Sequence, residues 1–189
     1  MQKACLNKHL ATHDQEKVEK AYQKCRDKYN PAKIEQIKTL NEEEYHDGFL
    51  REIFVEVLGY TLRPNENYDL QREFKNQTDG KKADGAILKD DNAIAVIELK
   101  STKTKDLTKT TQQAINYKNN QHECKYVITY NFQKLRFYID YSTEFEEFDL
   151  FFLDRQRFEV LYLILHQESI FSNLPIKLKK ETQFNEKEI

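Results

Sequence analysis

Two acidic residues and a lysine stand in two neighbouring apolar segments of the chain. Asp84 lies in the segment ADGAI (residues 83–87), and Glu98 and Lys100 lie in the segment VIELK (residues 96–100). Short apolar segments of this kind are typical of buried strands, and buried strands rarely carry charge without a reason. Two carboxylates and one ammonium group that converge at the edge of a sheet can hold a divalent metal ion and activate a water molecule. That combination is the chemistry of a nuclease.

The spacing of the two acids is that of a hairpin. Asp84 and Glu98 are fourteen positions apart, with a turn at residues 90–92 between them. If the two strands pair, both carboxylates can face one pocket. Mg²⁺ prefers hard oxygen ligands and keeps several waters, so two carboxylates and one backbone carbonyl suffice. We expect that carbonyl to be the one of Leu99.

Lys100 has two possible roles beside these acids. It lies two positions after Glu98, hence on the same face of the strand, where its amine can reach the attacking water or the scissile phosphate. In its neutral form it would help to deprotonate the water, and in its charged form it would stabilise the transition state. The simpler alternative is a strand end that enters solvent. Asp84 at this spacing, in apolar surroundings, argues for the site.

A helix that follows Lys100 adds polar groups to this region. Gln113 and Tyr117 are four positions apart and so share one helix face, where they can bind phosphate or support Lys100. Alternatively, Gln113 is a surface residue and Tyr117 a core residue. Several lysines precede or begin this helix, and they predict either a phosphate-binding strip or a solvated helix face. The candidates for contact with DNA are Lys103, Lys105 and Lys109.

Helices and strands follow one another in an order that predicts an α/β fold with a mixed β-sheet flanked by helices. The predicted helices cover residues 14–29, a segment opened by Pro31, 41–59, 107–119 and 155–166. The predicted strands cover residues 68–74, 82–88, 93–100, 126–130 and 135–139. We expect a helical extension at residues 1–40, a main domain at 41–170 and a polar tail at 171–189 that leads into a further C-terminal part.

Composition excludes several classes of protein. The chain has 189 residues, of which 39% are hydrophobic, enough for one domain with a well-formed core. No apolar run approaches the ~20 residues that span a bilayer, and no signal-type segment follows Met1, so we expect a cytoplasmic protein without a membrane partner. The three cysteines are scattered and form no CxxC pair, which argues against a zinc site. A net charge of −2 gives no global argument for nucleic acid.

These residues together resemble the PD-(D/E)xK nuclease superfamily. Asp84 corresponds to the motif aspartate and residues 98–100 to (D/E)xK, while Ala83 replaces the usual proline at a position that does no chemistry. The segment QAINY (residues 113–117) resembles the QxxxY signature of an exonuclease-like branch of the superfamily. The resemblance implies a restriction-endonuclease-like fold and a Mg²⁺-dependent DNA endonuclease, in which Mn²⁺ can substitute.

Further motifs resemble the N-terminal nuclease region of type IIG restriction–modification enzymes. They are DGFL (47–50), VLGY (57–60), KADGAI (82–87) and KLRFY (134–138), and the similarity spans roughly residues 40–150. It implies double-stranded DNA as the partner, a possible transient dimer for cleaving both strands, and methyltransferase and target-recognition regions on the C-terminal side. This segment itself contains no Gly-rich loop and no Asn-Pro-Pro motif, so we expect no S-adenosylmethionine site in it.

The resemblance also implies one more acid, on the helix that starts near Asn41, to complete the metal site. Helical phase favours Glu43, the family-like start of the helix favours Glu42, and Glu44 is the third candidate; we lean to Glu42. Glu73 is less favoured because a strand end in solvent explains it. The alternatives to an enzyme are a non-catalytic DNA-binding or interaction module that retains the fold, and a purely structural α/β domain.

Overall fold

Residues 3–76, 80–140 and 144–187 are described by this computed structural model, and within these ranges it contains eight α-helices and six β-strands. The helices are α1 (Lys3–Leu10), α2 (Gln15–Lys28), α3 (Pro31–Thr39), α4 (Glu42–Phe49), α5 (Thr108–Asn119), α6 (Arg155–Leu165), α7 (Gln167–Phe171) and α8 (Leu174–Lys187). The strands are β1 (Leu70–Lys75), β2 (Lys82–Lys89), β3 (Asn92–Leu99), β4 (Tyr126–Tyr130), β5 (Lys134–Ile139) and β6 (Phe145–Asp149). None of these helices is long and apolar enough to cross a membrane.

The six strands of the described ranges form one sheet in the order β1-β2-β3-β4-β5-β6. Neighbouring strands are antiparallel except β3 and β4, which run parallel. A parallel pair needs a crossover connection, and α5 provides it. The result is the mixed sheet flanked by helices that the sequence predicted, with α1–α3 as an N-terminal helical part.

Helices cover both faces of this sheet. On one face α5 contributes Ala114 and Tyr117, which pack with Val96 and Val127 of the central strands. On the other face α4, α6 and the N-terminal helices build the larger core. Side chains of a strand alternate between the two faces of the sheet, and here both faces are covered. The side chains of β3 and β4 are therefore apolar nearly throughout. Any charge within them therefore lies in an environment that strongly disfavours ions.

Helix α4 is held at a defined position over the sheet. Asn41 precedes its first turn, and the backbone N–H of Asn41 donates to the Glu44 carboxylate at 2.6 Å, as in a capping box. A π-helical segment (Leu50–Val55) continues the helix, and Gly59 then follows with a φ of +83°. Glycine adopts a positive φ more readily than other residues, and this explains why a glycine stands where the sequence predicted the helix to end. Phe49 stacks on Tyr130 of β4, with ring centroids 3.9 Å apart.

Strand β6 was not among the five strands that we predicted from the sequence. Among the described strands it pairs with β5 alone and so forms an edge of the sheet. Its second and third residues are acidic, and they form ion pairs: Glu147 with Arg136 at 2.7 Å and Glu146 with Arg157 at 2.9 Å. An edge strand needs no continuous apolar pattern, and charge on it discourages pairing with other chains. The apolar signal that identifies central strands is therefore missing here.

Residues 171–189, expected as a polar tail, contain the last residue of α7 and the whole of α8, while residues 188–189 lie outside the described ranges. Leu178 of α8 is fully buried in the main core, and Ile176 packs against the same core. The few apolar residues of α8 give little helical periodicity in the sequence. They are nevertheless enough to pack one face of α8 against α7 and α1.

Substitution Leu178→Ala tests this packing. We expect it to lower the free energy of unfolding by about 2–5 kcal/mol, because a fully buried leucine leaves a cavity when it is truncated. Urea denaturation followed by circular dichroism measures the loss. Lys180→Ala, at an exposed position of the same helix, is the control and should change stability by less than about 0.5 kcal/mol. Equal stability of the two variants would contradict the docking of α8.

Candidate active site

The hairpin of β2 and β3 opens at the end that carries the two acids. Its backbone register runs from Lys89 opposite Asn92 to Gly85 opposite Ile97. Beyond that point carboxylates accept the hydrogen bonds. The N–H of Asp84 donates to Glu98 Oε1 at 3.3 Å, and the N–H of Leu99 donates to Asp84 Oδ2 at 2.8 Å. This reciprocal exchange brings the side chains of Asp84 and Glu98 together, as the hairpin spacing predicted.

Glu98 is the most strongly perturbed acid of this site. Its side chain is fully buried, and its Oε2 accepts a hydrogen bond from Gln113 Nε2 at 3.0 Å. Burial, and next the negative charge of Asp84, raise the pKa of Glu98 to about 8. At neutral pH, without a cation, Glu98 therefore holds its proton in most molecules. Two neighbouring carboxylates repel each other when both are ionised, and a bound cation relieves that repulsion.

Lys100 comes directly after β3, and its Nζ binds Glu42 of α4. The distances from Nζ to the two carboxylate oxygens are 3.1 and 3.3 Å. The three acids at the start of α4 thus have different surroundings: Glu44 caps the helix, Glu43 is exposed, and Glu42 faces Lys100. Glu42 is the member of this group that joins the site, and its role as a metal ligand stays a prediction.

The Gln113–Tyr117 pair reaches the site from the other face of the sheet. Gln113 Nε2 lies 3.0 Å from Glu98 Oε2 and 3.3 Å from the Tyr117 hydroxyl. Helix α5 therefore supports Glu98 directly, whereas the sequence suggested support for Lys100 or phosphate binding. Tyr117 is 9% exposed and also packs in the core under α5, so it combines both roles considered for it.

The predicted basic residues lie at the surface near the site. Lys103 is exposed, and its Nζ binds the side-chain oxygen of Asn41 at 2.9 Å, next to the first turn of α4. Lys105 is exposed in the loop before α5, and Lys109 is exposed in the first turn of α5. Glu73, the less favoured acid, pairs instead with Lys82 at 3.0 Å on the surface of β1 and β2.

Sequence reasoning missed two polar residues that border the site. His46 lies one helical turn after Glu42, and its Nε2 is buried without a hydrogen-bond partner in the described part of the chain. The hydroxyl of Tyr130, at the end of β4, is buried in the same way. The four-residue spacing from Glu42 could have indicated His46. Tyr130 gave no signal, because an aromatic residue in an apolar strand predicts only core packing.

The donor set fits a hard divalent cation. Within the described ranges no group of three or more His, Cys, Asp or Glu side chains is placed to hold a metal ion. Two carboxylates, those of Asp84 and Glu98, meet directly, and the third, that of Glu42, is bound to Lys100. Mg²⁺ is commonly held by one or two carboxylates and keeps several waters, so it does not need a full protein cage. The carbonyl of Leu99 as a further ligand stays a prediction.

Comparison with known proteins gives one result that bears on the fold. No protein-family model matches the sequence, and no curated protein matches it significantly. A chain of the cryo-electron microscopy structure of a DrdV–DNA complex is similar in structure, with a TM-score of 0.50 and 14% sequence identity. The match covers 80% of this chain and 96% of that chain. With the six-stranded mixed sheet of the described residues, it confirms the restriction-endonuclease-like fold, and at this identity it shows the fold alone.

Substitution Glu98→Gln tests the electrostatics of the site. Folding raises the pKa of Glu98 from 4.5 to about 8, so the folded chain keeps a proton that the unfolded chain releases, and stability falls as the pH rises through that window. Glutamine cannot ionise. In EDTA the variant should gain stability relative to wild type from about pH 5 to about pH 8, on the order of 2–4 kcal/mol at 1.4 kcal/mol per pKa unit.

Urea denaturation across this pH range measures the difference. Glu123→Gln, at an exposed position before β4, is the control and should show a difference that does not depend on pH. A Glu98→Gln advantage that is constant or shrinks with rising pH would contradict the buried placement of Glu98 next to a second acid.

Proposed function

We propose that the chain is a Mg²⁺-dependent DNA endonuclease domain that hydrolyses phosphodiester bonds. The observation that carries the proposal is the reciprocal hydrogen bonding of Asp84 and Glu98 at the open end of the hairpin, with Lys100 next to it. The similar chain from a DrdV–DNA complex supports DNA as the partner. The PD-(D/E)xK resemblance supports hydrolysis over mere binding, since all three motif residues are present.

Asp84 and Glu98 are the proposed cation ligands, with the Leu99 carbonyl and, in the loaded site, Glu42. A bound Mg²⁺ supplies charge neutralisation at the phosphate and lowers the pKa of a coordinated water. Gln113 donates to Glu98 Oε2 and so fixes the orientation of that carboxylate. The buried position of Glu98 makes its ionised form dependent on a neighbouring positive charge, so proton release and cation binding are coupled at this residue.

Lys100 acts as a cation in this proposal. Its Nζ forms an ion pair with Glu42 at 3.1 Å, which holds the amine beside the proposed cation site. An ammonium next to the scissile phosphate stabilises the negative charge that develops in the transition state. Of the two roles that the sequence left open, the geometry thus supports electrostatic stabilisation over proton abstraction.

The sequence motifs shared with type IIG enzymes extend the proposal to a biological context. We place this domain in a restriction–modification polypeptide whose methyltransferase and target-recognition regions lie on its C-terminal side. Mn²⁺ substitutes for Mg²⁺ in such a site because it accepts the same oxygen ligands. The described residues of each copy form one candidate site, so we expect cleavage of both strands to use two copies that meet transiently on DNA.

Nicking of supercoiled plasmid in the presence of Mg²⁺ tests the catalytic proposal. Asp84→Asn and Lys100→Ala should each lower the nicking rate by about 10²-fold or more, because the first weakens the proposed cation site and the second removes a positive charge beside the phosphate. Asp91→Asn is the matched control: it makes the same chemical change in the exposed β2–β3 turn, where φ is 63° and asparagine is well tolerated.

Equal nicking by wild type and both site variants would contradict the assignment. A wild-type chain that binds DNA without nicking it, in Mg²⁺ or Mn²⁺, would favour the alternative of a non-catalytic binding module.

The salt dependence of DNA binding tests the basic surface. If Lys105 and Lys109 each contact one phosphate, the double variant Lys105→Gln/Lys109→Gln loses two contacts. The slope of log Kd against log salt concentration should then decrease by about 1.8. Fluorescence anisotropy with a labelled duplex, in EDTA to prevent cleavage, measures the slope. The control Lys177→Gln/Lys180→Gln removes two exposed lysines of α8. Equal slopes for the two double variants would contradict this DNA-binding surface.

A further inference from the structure

Two buried polar atoms beside the candidate active site have no hydrogen-bond partner among the described residues. They are the hydroxyl oxygen of Tyr130 and Nε2 of His46. Buried hydroxyl and imidazole groups in folded proteins are nearly always hydrogen-bonded, either to protein or to ordered water. Ordered water inside proteins typically forms about three hydrogen bonds to such groups. Each of these atoms therefore calls for a small polar partner such as water.

The backbone and its packing fix the Tyr130 side chain close to the acids. Tyr130 lies opposite Leu99 in the parallel pairing of β3 and β4, and its carbonyl accepts a hydrogen bond from the N–H of Lys100 at 2.8 Å. Its ring stacks on Phe49, and the whole residue is fully buried. Tyr130 is thus held between the strand that carries Glu98 and the helix that carries Glu42. Such a side chain has little freedom to find another partner.

The negative charges of Asp84 and Glu42 act on both unpartnered groups, and the backbone joins them to Tyr130: the Leu99 N–H donates to Asp84, and the next N–H, of Lys100, donates to the Tyr130 carbonyl. Burial raises the pKa of Tyr130 well above its ordinary value, and the charges of Asp84, Tyr45 and Glu42 add to that effect. Burial lowers the pKa of His46, and the charges of Asp84 and Glu42 oppose that effect. The hydroxyl of Tyr130 is therefore a protonated donor in the field of carboxylates to which it makes no direct hydrogen bond. One bridging molecule can satisfy both sides.

We propose that the Tyr130 hydroxyl donates a hydrogen bond to an ordered water molecule that bridges to the carboxylates of Glu42 and Asp84. A water that accepts from Tyr130 and donates both protons to carboxylates keeps one lone pair free, so its orientation is defined. Tyr130 is then a positioning residue of the site. Its part in the reaction rests on the proposed nuclease function, whereas the bound water does not.

Substitution Tyr130→Phe removes only the hydroxyl and keeps the stacked ring. If the hydroxyl holds a water, the variant loses a hydrogen bond, and its thermal midpoint in EDTA should fall by about 2–4 °C. If the hydroxyl is unpaired, its removal relieves a buried polar group, and the midpoint should stay the same or rise. The sign of the shift therefore decides whether the water is present, and an unchanged or higher midpoint overturns the inference.

Plasmid nicking decides whether the water is positioned for the reaction. Tyr130→Phe should lower the maximal nicking rate about tenfold while the Kd for DNA stays unchanged, because the hydroxyl acts on a water and not on DNA. The control is Tyr126→Phe, on the same strand and the same sheet face, whose hydroxyl lies 3.5 Å from Asn173 at the far end of β4. It should leave the rate unchanged.

The two readouts separate the two proposals. A lower midpoint with a tenfold slower rate supports both the water and its role. A lower midpoint with an unchanged rate overturns the positioning role of Tyr130 and leaves the nuclease proposal standing. If the wild-type chain does not nick DNA at all, the nuclease proposal and the positioning role both fail, and the midpoint alone still supports or overturns the bound water.

Discussion

The candidate site depends on the exchange of hydrogen bonds between Asp84 and Glu98 at the open end of one hairpin. Where the backbone ladder of β2 and β3 ends, each acid accepts an N–H from the opposite strand, from Asp84 to Glu98 and from Leu99 to Asp84. These bonds offset part of the cost of bringing two carboxylates into a buried position, and they fix the distance between them. The part of this cost that is not offset raises the pKa of Glu98.

One helix on each face of the sheet supplies a side chain to the candidate site. From one face α5 supplies Gln113, which binds the free oxygen of Glu98. From the other face α4 supplies Glu42, which binds Lys100, and the stacking of Phe49 on Tyr130 holds this helix in place. The side chains of the site are thus fixed by the packing of the central strands between two helices. A site supported from regular elements in this way is preorganised for a defined ligand geometry.

The sequence predicted the parts of this arrangement that depend on local spacing. The hairpin that joins Asp84 and Glu98, and the four-residue spacing of Gln113 and Tyr117, follow from strand and helix geometry alone. The choice among Glu42, Glu43 and Glu44 could not be made from helical phase, because Glu44 is used to cap α4. Strand β6 was missed because ion pairs, not apolar residues, support it. Tyr130 and His46 were missed because their importance arises only from burial beside acids that are distant in the sequence.

The central claim is that Asp84 and Glu98 coordinate a single divalent cation. A crystal structure of the chain grown or soaked with Mn²⁺, with diffraction data recorded at the manganese absorption edge, tests it most directly. The account predicts an anomalous peak within coordination distance of carboxylate oxygens of both residues. Anomalous peaks only at other places, with both carboxylates keeping their hydrogen bonds to the backbone and to Gln113, would contradict it.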